Sequence, residues 1–184
     1  MVLPGRKVFF ICGGVMTNHR NRKDTEGNEE LIRRYEECYD FTHTKVTDEM
    51  IKDAETELHV HLPESYIRFL KKYGQGGFLV FAVLGYRKDG APVFVDATED
   101  YRINFELPVD LVVIEEVNQG VYCIQQKNGK IVLWNSATGT VKPAYNNFSE
   151  YLKARILEAV SDPSFAIERE KQKLRYLASI KNEA

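Results

Sequence analysis

Residues able to do chemistry fall in a few short clusters along the 184-residue chain. His59 and His61 form an HxH pair, which on a strand would aim two imidazoles the same way and begin a zinc site. Two more ligands would be needed, and only His43, Cys38 or scattered carboxylates are on offer. The pair therefore reads as surface histidines in a connector between helices. Cys123 lies within the apolar stretch GVYCI, where a thiol is expected to be buried and inert rather than nucleophilic. Glu99-Asp100 and Glu115-Glu116 are adjacent carboxylates. Neighbours on a strand point to opposite faces, so Glu115 and Glu116 cannot share a proton as a dyad. Neither GxSxG nor HExxH occurs in the sequence.

The run Gly74-Gln75-Gly76-Gly77 invites a phosphate-binding interpretation. Phosphate loops run from strand to helix, whereas this run leads from a helix into an apolar stretch. A helix C-terminus carries partial negative charge and exposed carbonyls, which repel phosphate. The glycines are expected to stop a helix. Trp134, Phe78, Phe81, Tyr86 and Tyr122 could stack on bases, but they lack interleaved Lys and Arg and read as packing residues. Neither catalysis, a cofactor nor a metal is expected from these clusters.

Charge is distributed unevenly. The formal net charge of −2 conceals a balance of −7 over residues 47–116 and +4 over residues 117–184. An acidic middle argues against a nucleic-acid backbone as direct ligand and suits a basic protein partner. The three cysteines, Cys12, Cys38 and Cys123, offer neither CxxC spacing nor an even count, so a reducing, cytoplasmic setting is the expectation. The opening MVLPGRKVFFICGGV resembles the start of a signal peptide. Its apolar run is short, is broken by Gly13 and Gly14, and is followed by the polar TNHRNRK rather than a small-x-small cleavage site. Ile11 also denies Cys12 a lipoprotein context. Met16 opens a more ordinary N-terminus, so the expectation is an over-extended start and no membrane association.

The positioning elements follow from periodicity. Leu31, Ile32, Tyr35 and Cys38 recur at helical spacing over Glu29–Tyr39. Thr47 offers an N-cap to a second helix bearing Met50, Ile51, Ala54 and Leu58. Pro63 opens a third, whose face is Tyr66, Phe69, Leu70 and Tyr73 and whose stop is Gly74. FLVFAVLGY, Phe78 to Tyr86, reads as one central strand covered on both faces. The short VFVD, Val93 to Asp96, reads as extended, and ATEDYRINFE as either a helical turn or an irregular loop. LVVIE, VYCIQQ, KIVLW and TVKPAY then form an antiparallel meander around Asn128-Gly129 and Thr138-Gly139. Asn147-Phe-Ser-Glu150 is a capping box for a closing helix, and Asp162-Pro163 restarts a charged helix toward Ala184. The architecture is α+β: an antiparallel meander sheet with N- and C-terminal helices packed against it. Residues 1–28 are expected to be a loose extension, 29–160 the domain, and 161–184 a helical tail.

In order, TDEMIKDAETEL, LPESYIRFLKKYGQGG, the strand ending in LGY, LPVDLVVIEEV, GVYCI, IVLW and NFSEYL resemble the SUKH superfamily. That group contains a yeast regulator of cell-wall synthesis and many bacterial immunity proteins. LPxSYxxFLxKYGxGG followed by VLGY is similar to the bacterial YobK-type immunity proteins. The resemblance implies an α+β fold without a catalytic site and a role in neutralising a cognate toxin, often a nuclease. An intracellular regulator or scaffold, like the yeast member, is the alternative. The acidic middle would complement a basic nuclease, and its densest part places partner contact on Asp96, Glu99, Asp100, Tyr101, Asp110, Glu115 and Glu116, in an expected exposed loop.

Overall fold

The computed structural model describes residues 27–35, 38–78, 80–167, 169–171 and 174. Residues 1–26 of the N-terminal extension, with Cys12 and Met16, and the tail segment 175–184 lie outside the described residues. Helix α1 spans Asn28–Arg34, followed by β1 (Tyr39–Phe41), α2 (Asp48–Leu58), α3 (Glu64–Tyr73), β2 (Gly76–Phe78) and β3 (Phe81–Val83). Then come α4 (Val93–Phe105), the strands β4 (Leu111–Val117), β5 (Gly120–Gln125), β6 (Lys130–Asn135) and β7 (Thr140–Tyr145), and finally α5 (Phe148–Ser161). The fold is α+β, with two antiparallel sheets ordered β1-β2-β3 and β4-β5-β6-β7.

Local signals set most helix ends. Thr47 Oγ1 accepts from the Met50 N–H and opens α2. Asn147 Oδ1 accepts from the Glu150 N–H at 2.9 Å, and the Glu150 carboxylate reaches back to the Asn146 N–H at 3.2 Å, one residue earlier than a standard capping box. The closing helix forms as expected. Gly74 ends α3 at φ 75°, its N–H donating to the Leu70 carbonyl.

Three expectations change. The α1 helix is shorter than Glu29–Tyr39, because Tyr39, Asp40 and Phe41 instead pair with Phe78, Gly77 and Gly76 as strand β1. Aromatic residues suit such a pleated, half-buried position. FLVFAVLGY is not one central strand: the chain reverses between Phe78 and Phe81, with Val80 exposed at the turn. Finally, VFVD is not extended. It is the first turn of α4, which Pro92 precedes and which continues for 13 residues.

The glycines after α3 explain the compact small sheet. A Cβ on Gly76 would lie 1.9 Å from the Asp40 carbonyl oxygen, and one on Gly77 would lie 1.8 Å from that of Phe81. Gly76 also holds φ 128°, a backbone conformation open mainly to glycine. Thus the run brings β1, β2 and β3 together at backbone contact.

The four-stranded sheet is covered on both faces. Val112, Ile114, Ile124 and Ile131 face the larger core, filled by α1, α2, α3 and α5. Leu111, Val113, Cys123, Val132 and Trp134 face a smaller core, against which Ala97 and Tyr101 of α4 pack. Trp134, Phe78, Phe81 and Tyr86 are buried, as their packing reading requires. At the other sheet edge, the exposed β7 carries Lys142 and Pro143, which discourage pairing with another chain.

Gly77→Ala should lower the unfolding free energy by about 2 kcal/mol or more, since backbone must move to admit the methyl group. Gly27→Ser, with nothing within 4 Å of its added Cβ and a favoured residue at the N-cap of α1, should change it by less than about 0.5 kcal/mol. Urea titrations of the two variants check the contrast.

Candidate partner-binding surface

Helix α4 is amphipathic in an unusual way. Phe94, Val95 and Thr98 form its buried stripe, with Tyr101 and Arg102 continuing it half-buried. The Thr98 hydroxyl donates to the Phe94 carbonyl at 2.6 Å and accepts from the Val113 N–H at 3.0 Å, pinning α4 to β4. Helical periodicity then turns Asp96, Asp100, Ile103 and Asn104 outward, and all four are exposed. Glu106 ends the helix at φ 59°.

Arg102 ties the end of this helix down. Its guanidinium donates to Glu99 at 2.7 Å, to the Leu58 carbonyl at 3.2 Å and to the Val109 carbonyl at 2.8 Å. It is the single base between Val93 and Val117, a stretch with seven carboxylates. Because Arg102 faces inward, the outer surface presents acids without a balancing cation from its own segment. Asp100 accepts from Asn104 at 2.7 Å, and Asp110, at the entry to β4, accepts from Gln125 at 3.3 Å.

Tyr101 links α4 to the strand. Its ring stands edge-on to Trp134, centroids 6.1 Å apart, and lies 5.2 Å from Phe105. Burial, and then the neighbouring Glu116 carboxylate, push its phenol up to about 12. The structure therefore joins Asp96, Asp100, Glu99 and Tyr101 on one helix, with Glu116 beside Tyr101 and Asp110 at the following turn.

Glu115 does not belong with them. It is only 2% exposed and points to the opposite face of the sheet. Its carboxylate accepts from Arg155 Nε at 3.1 Å, from Arg155 Nη2 at 2.7 Å and from the Tyr151 hydroxyl at 2.6 Å. Arg155 also pairs with Glu158 and lies over the Phe81 and Tyr122 rings. Burial opposes the charge on Arg155, but Glu115 and Glu158 outweigh it and hold the guanidinium firmly protonated. Burial, reinforced by Glu115, keeps the Tyr151 phenol well above its ordinary range. The expectation of an exposed Glu115 is thus corrected, whereas the opposite-face reading of Glu115 and Glu116 holds.

The other chemical candidates stay where packing puts them. Burial pushes the Cys123 thiol up, away from a nucleophilic thiolate. His59 ends α2 in a left-handed conformation, and the exposed His61 has Nδ1 3.9 Å from Glu55. Among the described residues, no group of three or more His, Cys, Asp or Glu side chains could hold a metal ion. Among them, too, no helix is long and apolar enough to cross a membrane.

The family model described as SMI1-KNR4 cell-wall, one of the SUKH models, matches residues 28–157. The chain belongs to the SUKH family. That match runs from the first residue of α1 into α5, so every element that shapes the α4 surface and the Glu115–Arg155 pair is part of the SUKH domain. Within this SUKH domain, sequence reasoning found the acids of α4 but missed Arg102, which sets their orientation. Its signal was the i, i+3 spacing from Glu99 on a helix that the Val-Phe-Val start disguised.

Arg155→Met should cost about 3–5 kcal/mol by leaving Glu115 buried and unpaired, and adding Glu115→Leu should recover most of that loss. Chemical denaturation of the single and double variants measures both. The raised Tyr101 phenol stays protonated in the fold after the unfolded chain has ionised, so its stabilising effect is lost as pH rises from about 10 to about 12. Tyr101→Phe should flatten the fall of unfolding free energy across that window, as read from denaturation series at stepped pH.

Proposed function

We propose that this SUKH domain is a non-catalytic immunity protein, which binds and neutralises a cognate toxin domain in the cytoplasm. The supporting observation is the outward acidic face of α4. Asp96 and Asp100 stand exposed there, while the nearby Arg102 is committed to Glu99 and to backbone carbonyls. Asp96, Glu99, Asp100, Tyr101, Asp110 and Glu116 make up the contact set, and Glu115 serves the interior instead. The toxin is proposed to be a basic nuclease, because such a surface offers the complementary charge. Mutual attraction of this kind chiefly speeds encounter and rejects wrong partners. The domain acts by covering the toxin rather than by turning over a substrate, so it needs no cofactor and does not contact nucleic acid itself.

Co-expression with any toxin domain encoded beside this chain's gene tests the reading. Growth should be rescued and a stoichiometric complex should form. Asp96→Lys with Asp100→Lys should lower the association rate about ten-fold or more at low salt, with a weaker salt dependence. Stopped-flow mixing at several ionic strengths reads this out. Rescue without a complex would point to enzymatic detoxification, and an unaltered rate would remove α4 from the contact surface.

A further inference from the structure

Along the chain, the acids of α4 and of its connection to β4 alternate with residues that no charge argument selects. Ile103 is 76% exposed, Val109 is 77% exposed and Phe105 is 46% exposed. All three stand at the α4–β4 connection, and the Arg102–Val109 hydrogen bond holds that connection against the last turn of the helix. Ile103 follows Asp96 by seven residues and Asp100 by three, so helical periodicity sets it on the same outward face. Phe105 rests on Tyr101, ring centroids 5.2 Å apart. Glu99, Asp100, Glu106 and Asp110 border the group along the chain.

Large aliphatic side chains this exposed cost solubility unless something covers them. The Leu107 side chain, between them in sequence, is buried in the smaller core, so the connection had an interior available and still left Ile103 and Val109 outside. An apolar centre within a charged rim is the usual anatomy of a protein-binding patch. The negative charge that borders the pair along the chain, where the one base, Arg102, is turned inward, selects among occupants. It disfavours a second copy of the same patch, which would set like charges together, and disfavours an anionic lipid or nucleic-acid surface.

We propose that Ile103 and Val109 are the energetic anchor of the docking surface, and that their occupant is a basic protein surface carrying an apolar side chain at its centre. This rests on the binding role proposed above and adds a division of labour to it. The acidic rim sets the rate of encounter, and the two aliphatic residues set how long the complex lasts. Both side chains project into solvent, so truncating them leaves the fold intact.

A library of fragments from the source genome, displayed on phage, is selected against the full-length chain. The selected fragments are then measured by surface plasmon resonance. The fragments should be basic, and Ile103→Ala with Val109→Ala should raise their dissociation rate about ten-fold or more while the association rate stays within about two-fold. Unchanged thermal melting of the double variant confirms that only the surface was altered. A selection that yields no binder overturns the proposal, as does a dissociation rate within about two-fold of the parent's. Toxin domains indifferent to the two substitutions would overturn the anchor yet leave the immunity role standing. Basic fragments that depend on the anchor but come from proteins other than toxins would do the reverse.

Discussion

A single carboxylate, Glu115, fixes how the layers of this protein sit. It leaves β4 just after a bulge: Val113 pairs with Cys123, and Glu115 pairs with Tyr122, which an unbroken register would set opposite Ile114. That extra residue turns Glu115 toward α5, where Arg155 grips it with two nitrogens and Tyr151 donates a third hydrogen bond. Against an apolar replacement, such a pair gains little net stability, because desolvation offsets its attraction. Its consequence is geometric: a misplaced α5 would strand a charge in the core. With α5 committed to one face of the sheet, α4 covers the other.

Strand β4 is therefore the divider between two kinds of surface. Its alternating residues feed both cores, and Glu115 and Glu116 repeat that division in charged form. On the α5 side the charge is buried and paired. On the α4 side, Glu116 stands near the surface beside Tyr101, and the helix above displays its carboxylates outward. The same local acidity thus serves as structure on one face and, in the function proposed, as a recognition surface on the other.

Much of the architecture was legible in the sequence because local signals agreed with the tertiary outcome. Thr47, Gly74 and the Asn147–Glu150 pair set helix ends within short range, and Asn128-Gly129 set the β5–β6 turn. Where reading failed, a long-range contact decided. Tyr39–Phe41 becomes a strand only because Gly76 and Gly77 let three backbones touch. The Val-Phe-Val opening of α4 has the local preference of a strand, and burial against β4 overrides it. The helix also ends on Glu106 in a left-handed conformation, without the glycine that would have announced it. The acids were visible as composition, but their sidedness was not, and sidedness separates Glu115 from Glu116.

The most direct test of this division is hydrogen exchange, followed by mass spectrometry, on the full chain alone and bound to the toxin domain proposed as its partner. New protection on binding should concentrate on α4 and the connection into β4, with α1, β1 and β7 unchanged. Protection centred on α1 and β1 or on the β7 edge, with α4 exchanging as in the free protein, would contradict the account.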